Sequence, residues 1–321
     1  MGNQKVKRRK IPEKNTGIGW TREDFAGYIF ASPVILGFLI FVVGPILVTF
    51  ILSLTDYNLA SKPEFIGFDN YSVLFSGKDD FFLKAIKATF YYVFLSVPAG
   101  IVFSFLIALL LNQKIKGRAF FRGAFYLPVV IPIAASSMIW MWLLQPNFGL
   151  INHVLKIFGI PPSPWLASET TVIPTLVLYS LWITGNTIVI FLAGLQEVPS
   201  QLYEAIDVDG GNGIHKLLYI TLPMTSSIIF FNTVIGFVNA FQTFVQPYIM
   251  TSGGQNINMG APNGASLLYV LNLYREAFRF NRFGFASAQA IILFAVIIIC
   301  TAIFFKFSNS LVYYEGGVRK K

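Results

Sequence analysis

Four carboxylates, Glu197, Glu204, Asp207 and Asp209, fall in one polar stretch, EVPSQLYEAIDVDGGNGIHKLLYITLP, residues 197–223, between long apolar runs. Paired carboxylates serve as general acid and base where burial or a like charge tunes them, and an exposed helix between apolar runs provides no such pocket. The chemistry left to Glu204 and Asp207 is surface pairing with basic side chains of a partner. Pro199 and Ser200 suit the first turn of a helix. Leu202, Ala205 and Ile206 then share one side of about two turns, with Glu204 and Asp207 elsewhere on it. Gly210 and Gly211 should stop that helix, because glycine reaches the left-handed region at little cost. Asn212 is placed to cap a second short helix, which Pro223 ends or hands to the next apolar run. On composition alone, the stretch is equally a plain helical hairpin joining two buried segments.

Other reactive chemistry is scarce. His153 and His215 are far apart and in loops, so no metal site is expected. The single cysteine, Cys300, lies within an apolar run and suits packing rather than a disulfide. No G-x-x-x-x-G-K-[ST] phosphate loop occurs, so this chain is not expected to bind or hydrolyse ATP.

The elements around that stretch are dictated by charge. Of 321 residues, 55% are hydrophobic and 12% charged, against roughly a quarter charged in soluble domains. No Asp, Glu, Lys or Arg occurs in residues 25–55, 88–113, 123–155, 170–196, 217–274 or 283–305. Each run can hold a helix of about 20 residues, enough to cross a hydrocarbon core. An all-α integral membrane protein with six transmembrane helices is therefore expected. The first apolar run is too long for a signal peptide and is expected to be a retained span.

In chain order, a basic cytoplasmic tail, residues 1–26, precedes the first span, 27–54, where Gly44-Pro45 should introduce a kink. An external segment, 55–87, follows, in which Phe81, Phe82 and Ile86 suit an interfacial amphipathic helix. A five-helix core, 88–308, contains spans near 89–111, 125–144, 172–195, 224–250 and 286–307, and a polar tail, 309–321, ends the chain. Pro128 and Pro132 should bend the third span. With the amino terminus inside, 16 of the 24 Lys and Arg lie on the cytoplasmic side, which the positive-inside rule favours. Both termini and the stretch 197–223 are then cytoplasmic. Arg275, Arg279 and Arg282 fall outside against this trend, and an interfacial helix over 267–280 would accommodate them. The net charge of +9 reflects these topology signals rather than a stripe for nucleic acid.

Glu204-Ala205-Ile206, three residues, Gly210, nine residues, then Ile220-Thr221-Leu222-Pro223 resembles the EAA loop of ABC importer permeases, with isoleucine where a second alanine is usual. Leu54-Thr55-Asp56-Tyr57-Asn58, Gly67-Phe68-Asp69-Asn70-Tyr71, Phe148-Gly149-Leu150-Ile151-Asn152 and Phe191-Leu192-Ala193-Gly194-Leu195-Gln196 are similar to the carbohydrate-uptake branch, so the likeness runs from Pro33 to about Asn309. The resemblance implies a type I importer permease of the shorter, multiple-sugar kind, in a bacterial or archaeal cell membrane. It implies a heterodimer with a second permease, two cytoplasmic ATPase subunits carrying ATP and Mg, and an extracellular solute-binding protein that delivers a sugar. It also implies that Leu202, Glu204, Ala205, Ile206, Asp207, Gly210, Gly211, Ile220 and Pro223 form the loop that couples to an ATPase.

Polar side chains in a membrane interior face the bundle or a cavity. Asn232, Asn239, Gln242 and Gln246 should share one face of the fifth span, and Tyr179, Trp182 and Asn186 one face of the fourth. Amides opposite aromatics suit a sugar, offering hydrogen bonds to its hydroxyls and a flat surface to its C–H face. The same amides also suit helix packing with no ligand, and both readings stand at this point. Within the importer class, a glycerol phosphodiester or sugar phosphate is the alternative cargo. Outside it, an ATP-independent secondary transporter would use intramembrane carboxylates, which the runs lack.

Overall fold

A computed structural model describes residues 22–77, 79–252 and 259–311. The basic tail up to residue 21 and the tail beyond 311 lie outside the described residues. Three helices are long and apolar enough to cross a bilayer alone: α1 (Phe25–Ser53), α3 (Asp80–Asn112) and α14 (Phe283–Leu311). A short α2 (Asp69–Phe75) lies between the first two. The boundary between two compact units, residues 1–48 and 49–321, falls inside α1.

The first helix does not break at Gly44-Pro45. A π turn, Leu39–Val43, precedes the proline, and its wider spacing absorbs the hydrogen bond that proline cannot make. Most of its apolar side chains are exposed, as expected of a helix solvated by lipid, whereas Ser53 at its end is buried.

The second long helix starts earlier than the hydropathy suggests. Asp79 caps it, accepting hydrogen bonds from Phe81 N at 3.0 Å and Phe82 N at 3.1 Å. Phe81, Phe82 and Ile86 therefore belong to the first turns of α3, not to a separate interfacial helix. Phe82 is buried edge-on against Tyr269, with ring centroids 5.7 Å apart. Before α3, residues Thr55–Asp56 and Glu64–Phe65 pair as two-residue antiparallel strands, β1 and β2.

The remaining apolar runs form bent pairs that reach membrane length only together. In the first pair, α4 (Arg118–Val130) and α5 (Ile133–Leu143) meet at 100°. Ile131 is extended (ψ 130), as the residue before Pro132 must be, and the proline ring ends the ladder. After a short α6 (Leu150–Ile157), α7 (Val172–Trp182) and α8 (Gly185–Glu197) meet at 51°. The polar stretch then forms α9 (Ser200–Val208) and α10 (Gly213–Met224). The latter meets α11 (Ser226–Phe241) at 65°. At that bend Thr225 Oγ1 donates back to Thr221 O at 2.6 Å, a bond that loosens the backbone ladder. The helix expected to run to Met250 thus stops at Phe241, and a separate α12 (Val245–Ser252) follows.

The segment expected to lie at the interface is instead built into the bundle. Helix α13 (Tyr269–Tyr274) continues as a π turn, Arg275–Arg279, and Leu271, Asn272, Arg275 and Glu276 are buried. Glu276 receives Arg275 Nη2 on Oε1 and Arg282 Nη1 on Oε2, both at 3.1 Å. Arg275 also lies 4.0 Å over the Phe81 ring and Arg282 4.0 Å over Phe285. Shared pairing, not lipid contact, accommodates these two arginines.

Helix α3 is the spine of the bundle. Val93 and Val97 pack with Ile173, Leu176 and Tyr179 of α7, and Phe105 and Ala108 with Ile188, Phe191 and Leu195 of α8.

Candidate functional site

The stretch 197–223 has the helix–turn–helix form expected of it. Gly210 adopts a left-handed φ of +76, and Gly211 N donates to Ile206 O at 2.8 Å, closing the end of α9. Asn212 caps α10 by accepting from Ile214 N at 3.0 Å and His215 N at 3.1 Å. In return Asn212 N donates to His215 Nδ1 at 3.1 Å, and the imidazole stacks on Tyr219 at 6.1 Å. His215 is thus a capping residue.

The two arms are braced against each other. Lys216 Nζ lies 2.6 Å from Asp207 Oδ1, bridging α9 and α10 across the glycine elbow. Tyr203 Oη lies 3.1 Å from Thr221 Oγ1, which ties α9 to the buried end of α10. Ile220 is buried at that end, and Pro223 follows it within α10. The carboxylates therefore differ in use: Asp207 is engaged inside the loop, whereas Glu204 is exposed and has no partner among the described residues. Leu202 is 40% exposed and Ala205 is exposed beside it, while Ile206 is half-buried over the elbow. Helix α9 thus exposes Leu202 and Ala205 beside the Glu204 carboxylate.

A cavity of about 420 Å³ lies among α3, α7, α8, α11 and α12. All four amides expected on the fifth span, Asn232, Asn239, Gln242 and Gln246, line it. They arrive there by a different route from a continuous helical face. The helix ends at Phe241, and Gln242 N and Thr243 N cap it by donating to Asn239 O at 3.1 Å and Ala240 O at 3.3 Å. The chain then turns so that Gln246, on α12, returns to the same space. Asn232 Nδ2 is spent on Ile228 O at 2.9 Å, and Gln242 Nε2 on Val238 O at 3.2 Å. The side-chain amides of Asn239 and Gln246 make no hydrogen bond among the described residues.

The three residues expected to face those amides are not at the cavity. Tyr179 is fully buried, its hydroxyl 2.7 Å from Ser136 Oγ and its ring against Trp140. Trp182 faces a separate apolar pocket of about 300 Å³ with Phe121, Phe125 and Pro128. Asn186 is exposed on another face of α8. Tyr179 and Trp182 stay neighbours, their ring centroids 6.2 Å apart, but that face of α7 packs on Trp140 rather than on the cavity, and the 51° bend before Gly185 sets Asn186 apart from them. In their place the walls carry Tyr92, Ser96, Ser180, Thr184, Thr187 and Thr243. The spacing of Tyr92, Ser96 and Gly100 was a legible signal for this face of α3. Gly236 lets α11 approach α3: a Cβ there would lie 3.2 Å from Val97 Cγ1. No charged side chain lines the cavity among the described residues.

This combination of membrane-length helices, a helical loop between two of them and a polar uncharged cavity defines a membrane permease. The chain belongs to the family of binding-protein-dependent transport system inner membrane components, whose model matches residues 100–312. It is 39% identical to the probable ABC transporter permease protein YesP of Bacillus subtilis (strain 168), over 92% of this chain and 94% of that one. It is 32% identical to the arabinooligosaccharides transport system permease protein AraP of the same organism, over 94% and 95% of the two chains. Its fold is similar to a chain in the crystal structure of a bacterial alginate ABC transporter in complex with an alginate pentasaccharide-bound periplasmic protein. The TM-score there is 0.77, with 23% identity, covering 92% of this chain and 97% of that chain.

Proposed function

We propose that this chain is the membrane-spanning subunit of an ATP-driven importer for a sugar or oligosaccharide delivered by an extracellular binding protein. It crosses the membrane six times, each bent pair counting as one span, with both termini cytoplasmic. It pairs with a second permease and docks two ATPase subunits, which hold the ATP and Mg; the chain itself contributes no cofactor. The loop 197–223 is the docking element. The observation that carries this reading is Glu204, an exposed carboxylate without a partner, beside Leu202 and Ala205 on a helix braced rigidly to the fifth span. Rigid bracing is what a mechanical link requires, because a loop that deformed on contact would not pass motion into the bundle.

Cargo would pass through the amide-lined cavity, where Asn239, Gln242 and Gln246 offer donors and acceptors to hydroxyl groups. A carboxylate or phosphate would enter a wall without a cation, which is costly. That favours a neutral sugar over a sugar phosphate, and the oligosaccharide in the name of AraP supports the same class. In proteoliposomes with all subunits, Glu204→Lys should reduce retention of the ATPase subunits and sugar uptake together, with membrane insertion unchanged. Wild-type uptake by that variant would sink the docking role.

A further inference from the structure

The cytoplasmic basic loop contains an arrangement that a topology signal does not require. Arg118 and Arg122 lie one turn apart at the start of α4, following Gly117 at a left-handed φ of +77. Both guanidinium groups converge on Gln196, in the last turn of α8 and just ahead of α9. With its amide turned to satisfy both, Gln196 Oε1 accepts from Arg122 Nη2 at 2.8 Å and Arg118 Nη2 at 2.9 Å. Arg118 Nη2 also donates to Asn112 Oδ1 at 3.3 Å, at the end of α3. Among the described residues neither arginine has a carboxylate within ion-pair distance, and both Nε atoms are enclosed without a partner. The two cations are therefore held not by an anion but by the side-chain amides of Gln196 and Asn112 and by the negative end of α8.

The same two helices are locked again at their far end. Gly185, the first residue of α8, takes the α4 backbone directly against it: a Cβ there would lie 2.6 Å from Phe125 O and 2.8 Å from Val129 Cγ2. Helix α4 is thus gripped by α8 at both ends. Immediately beyond the upper grip, both chains break, at Pro132 by 100° and between Trp182 and Gly185 by 51°. Ile133, Ile183 and Thr184, at these two breaks, line the amide cavity.

We propose that Arg118, Arg122 and Gln196 form a clasp that makes α4 and α8 one rigid arm, carrying motion of the coupling loop to the cavity wall through the two breaks. They are positioning residues, acting through α4, and the inference rests on the docking reading of loop 197–223. The braces at Tyr203 and Asp207 load the fifth span; the clasp loads the third and fourth. A packed, doubly held helix pair has discrete arrangements rather than a continuum of bends, and that suits a switch.

The test uses the complete importer in proteoliposomes, with sugar accumulated per ATP hydrolysed as the readout and co-purification of ATPase subunits as the assembly control. Gln196→Leu removes the acceptor while every positive charge stays in place. It should lower sugar transported per ATP by roughly fivefold or more, the usual lower range of coupling between sites, with ATPase subunits still bound. Arg118→Gln with Arg122→Gln should do the same, and Gln196→Glu, which gives both guanidinium groups a carboxylate, should keep the wild-type ratio. An unchanged ratio in Gln196→Leu, or a drop fully explained by lost ATPase subunits, overturns the clasp. Failure of the docking reading is seen separately, as Glu204→Lys leaving ATPase binding and uptake intact.

Discussion

The side chain of Ile206 occupies the space that a side chain on Gly211 would need. A Cβ at Gly211 would overlap Ile206 Cγ2 and lie 3.1 Å from Ile206 O, and the two residues are joined by the Gly211 N to Ile206 O bond at 2.8 Å. The isoleucine at the position where the EAA pattern usually has alanine is therefore matched inside the loop. Its bulk is turned onto the elbow, leaving Leu202 and Ala205 exposed.

That relationship makes the elbow sensitive to a single methyl group. Gly211→Ala should strain the loop by about 1–3 kcal/mol, the range for overpacked sites, and lower ATPase retention in pull-down. Combining it with Ile206→Ala should recover most of the loss. No recovery in the double variant would mean that the backbone conformation, not the contact, is limiting.

Glu204 and Asp207 should behave differently although they are one turn apart. Asp207→Asn removes an exposed bridge to Lys216, worth about 0–1 kcal/mol, so uptake should stay within about twofold of wild type. Glu204→Gln should weaken ATPase retention more than Asp207→Asn does. Equal effects, measured by titrating ATPase subunits onto reconstituted permease, would contradict the separate uses of these carboxylates.

In the cavity, Asn239→Ala with Gln246→Ala removes two amides that are not tied up within the chain. Each hydrogen bond to a neutral group contributes about 0.5–1.5 kcal/mol, so the pair should raise the KM for sugar uptake on the order of tenfold without loss of assembly. Asn186→Ala should leave KM unchanged. An equal KM effect of Asn186→Ala would place the pathway on a different face.

Tyr179→Phe should report on folding rather than cargo. It removes the hydroxyl that meets Ser136 Oγ in the core and should lower the thermal midpoint of purified permease with KM unchanged.

Glu276→Gln should be the most damaging of these substitutions to stability. It leaves Arg275 buried beside a neutral amide, and losing one member of a buried ionic group costs about 3–5 kcal/mol. The expected result is poor recovery of folded protein, read by size-exclusion chromatography in detergent. Arg282→Gln, at the half-exposed end of the triad, should be far milder.

Charge-free runs, the glycine elbow and the spacing of the EAA anchors were legible in the sequence because each is local. Hydropathy counts residues along one helix, Gly210 needs only its own φ, and a cap such as Asn212 reaches only three residues ahead. The four amides of the fifth span were also legible, since polar groups in an apolar run must find polar surroundings wherever the chain turns. What periodicity could not supply was continuity: it assumed straight helices, and the structure has breaks at Pro132, at Thr184 and at Thr225. Tyr179 and Trp182 pack against Trp140 and Asn186 lies beyond a break, so the cavity wall carries Tyr92 and Thr187 instead.

The sequence by itself thus determined that the chain is helical, apolar enough for a membrane, and carries a glycine-jointed helical loop between two apolar runs, because those properties follow from composition and short-range geometry. Only the tertiary structure decided how Glu204 and Asp207 differ, since Asp207 meets Lys216 across a turn while Glu204 has no partner among the described residues. It alone decided that Glu276 holds two arginines, and that Gln196 holds two more at the foot of the bundle. Side-chain partnership depends on distances between separate elements, and those distances are set by packing rather than by order along the chain.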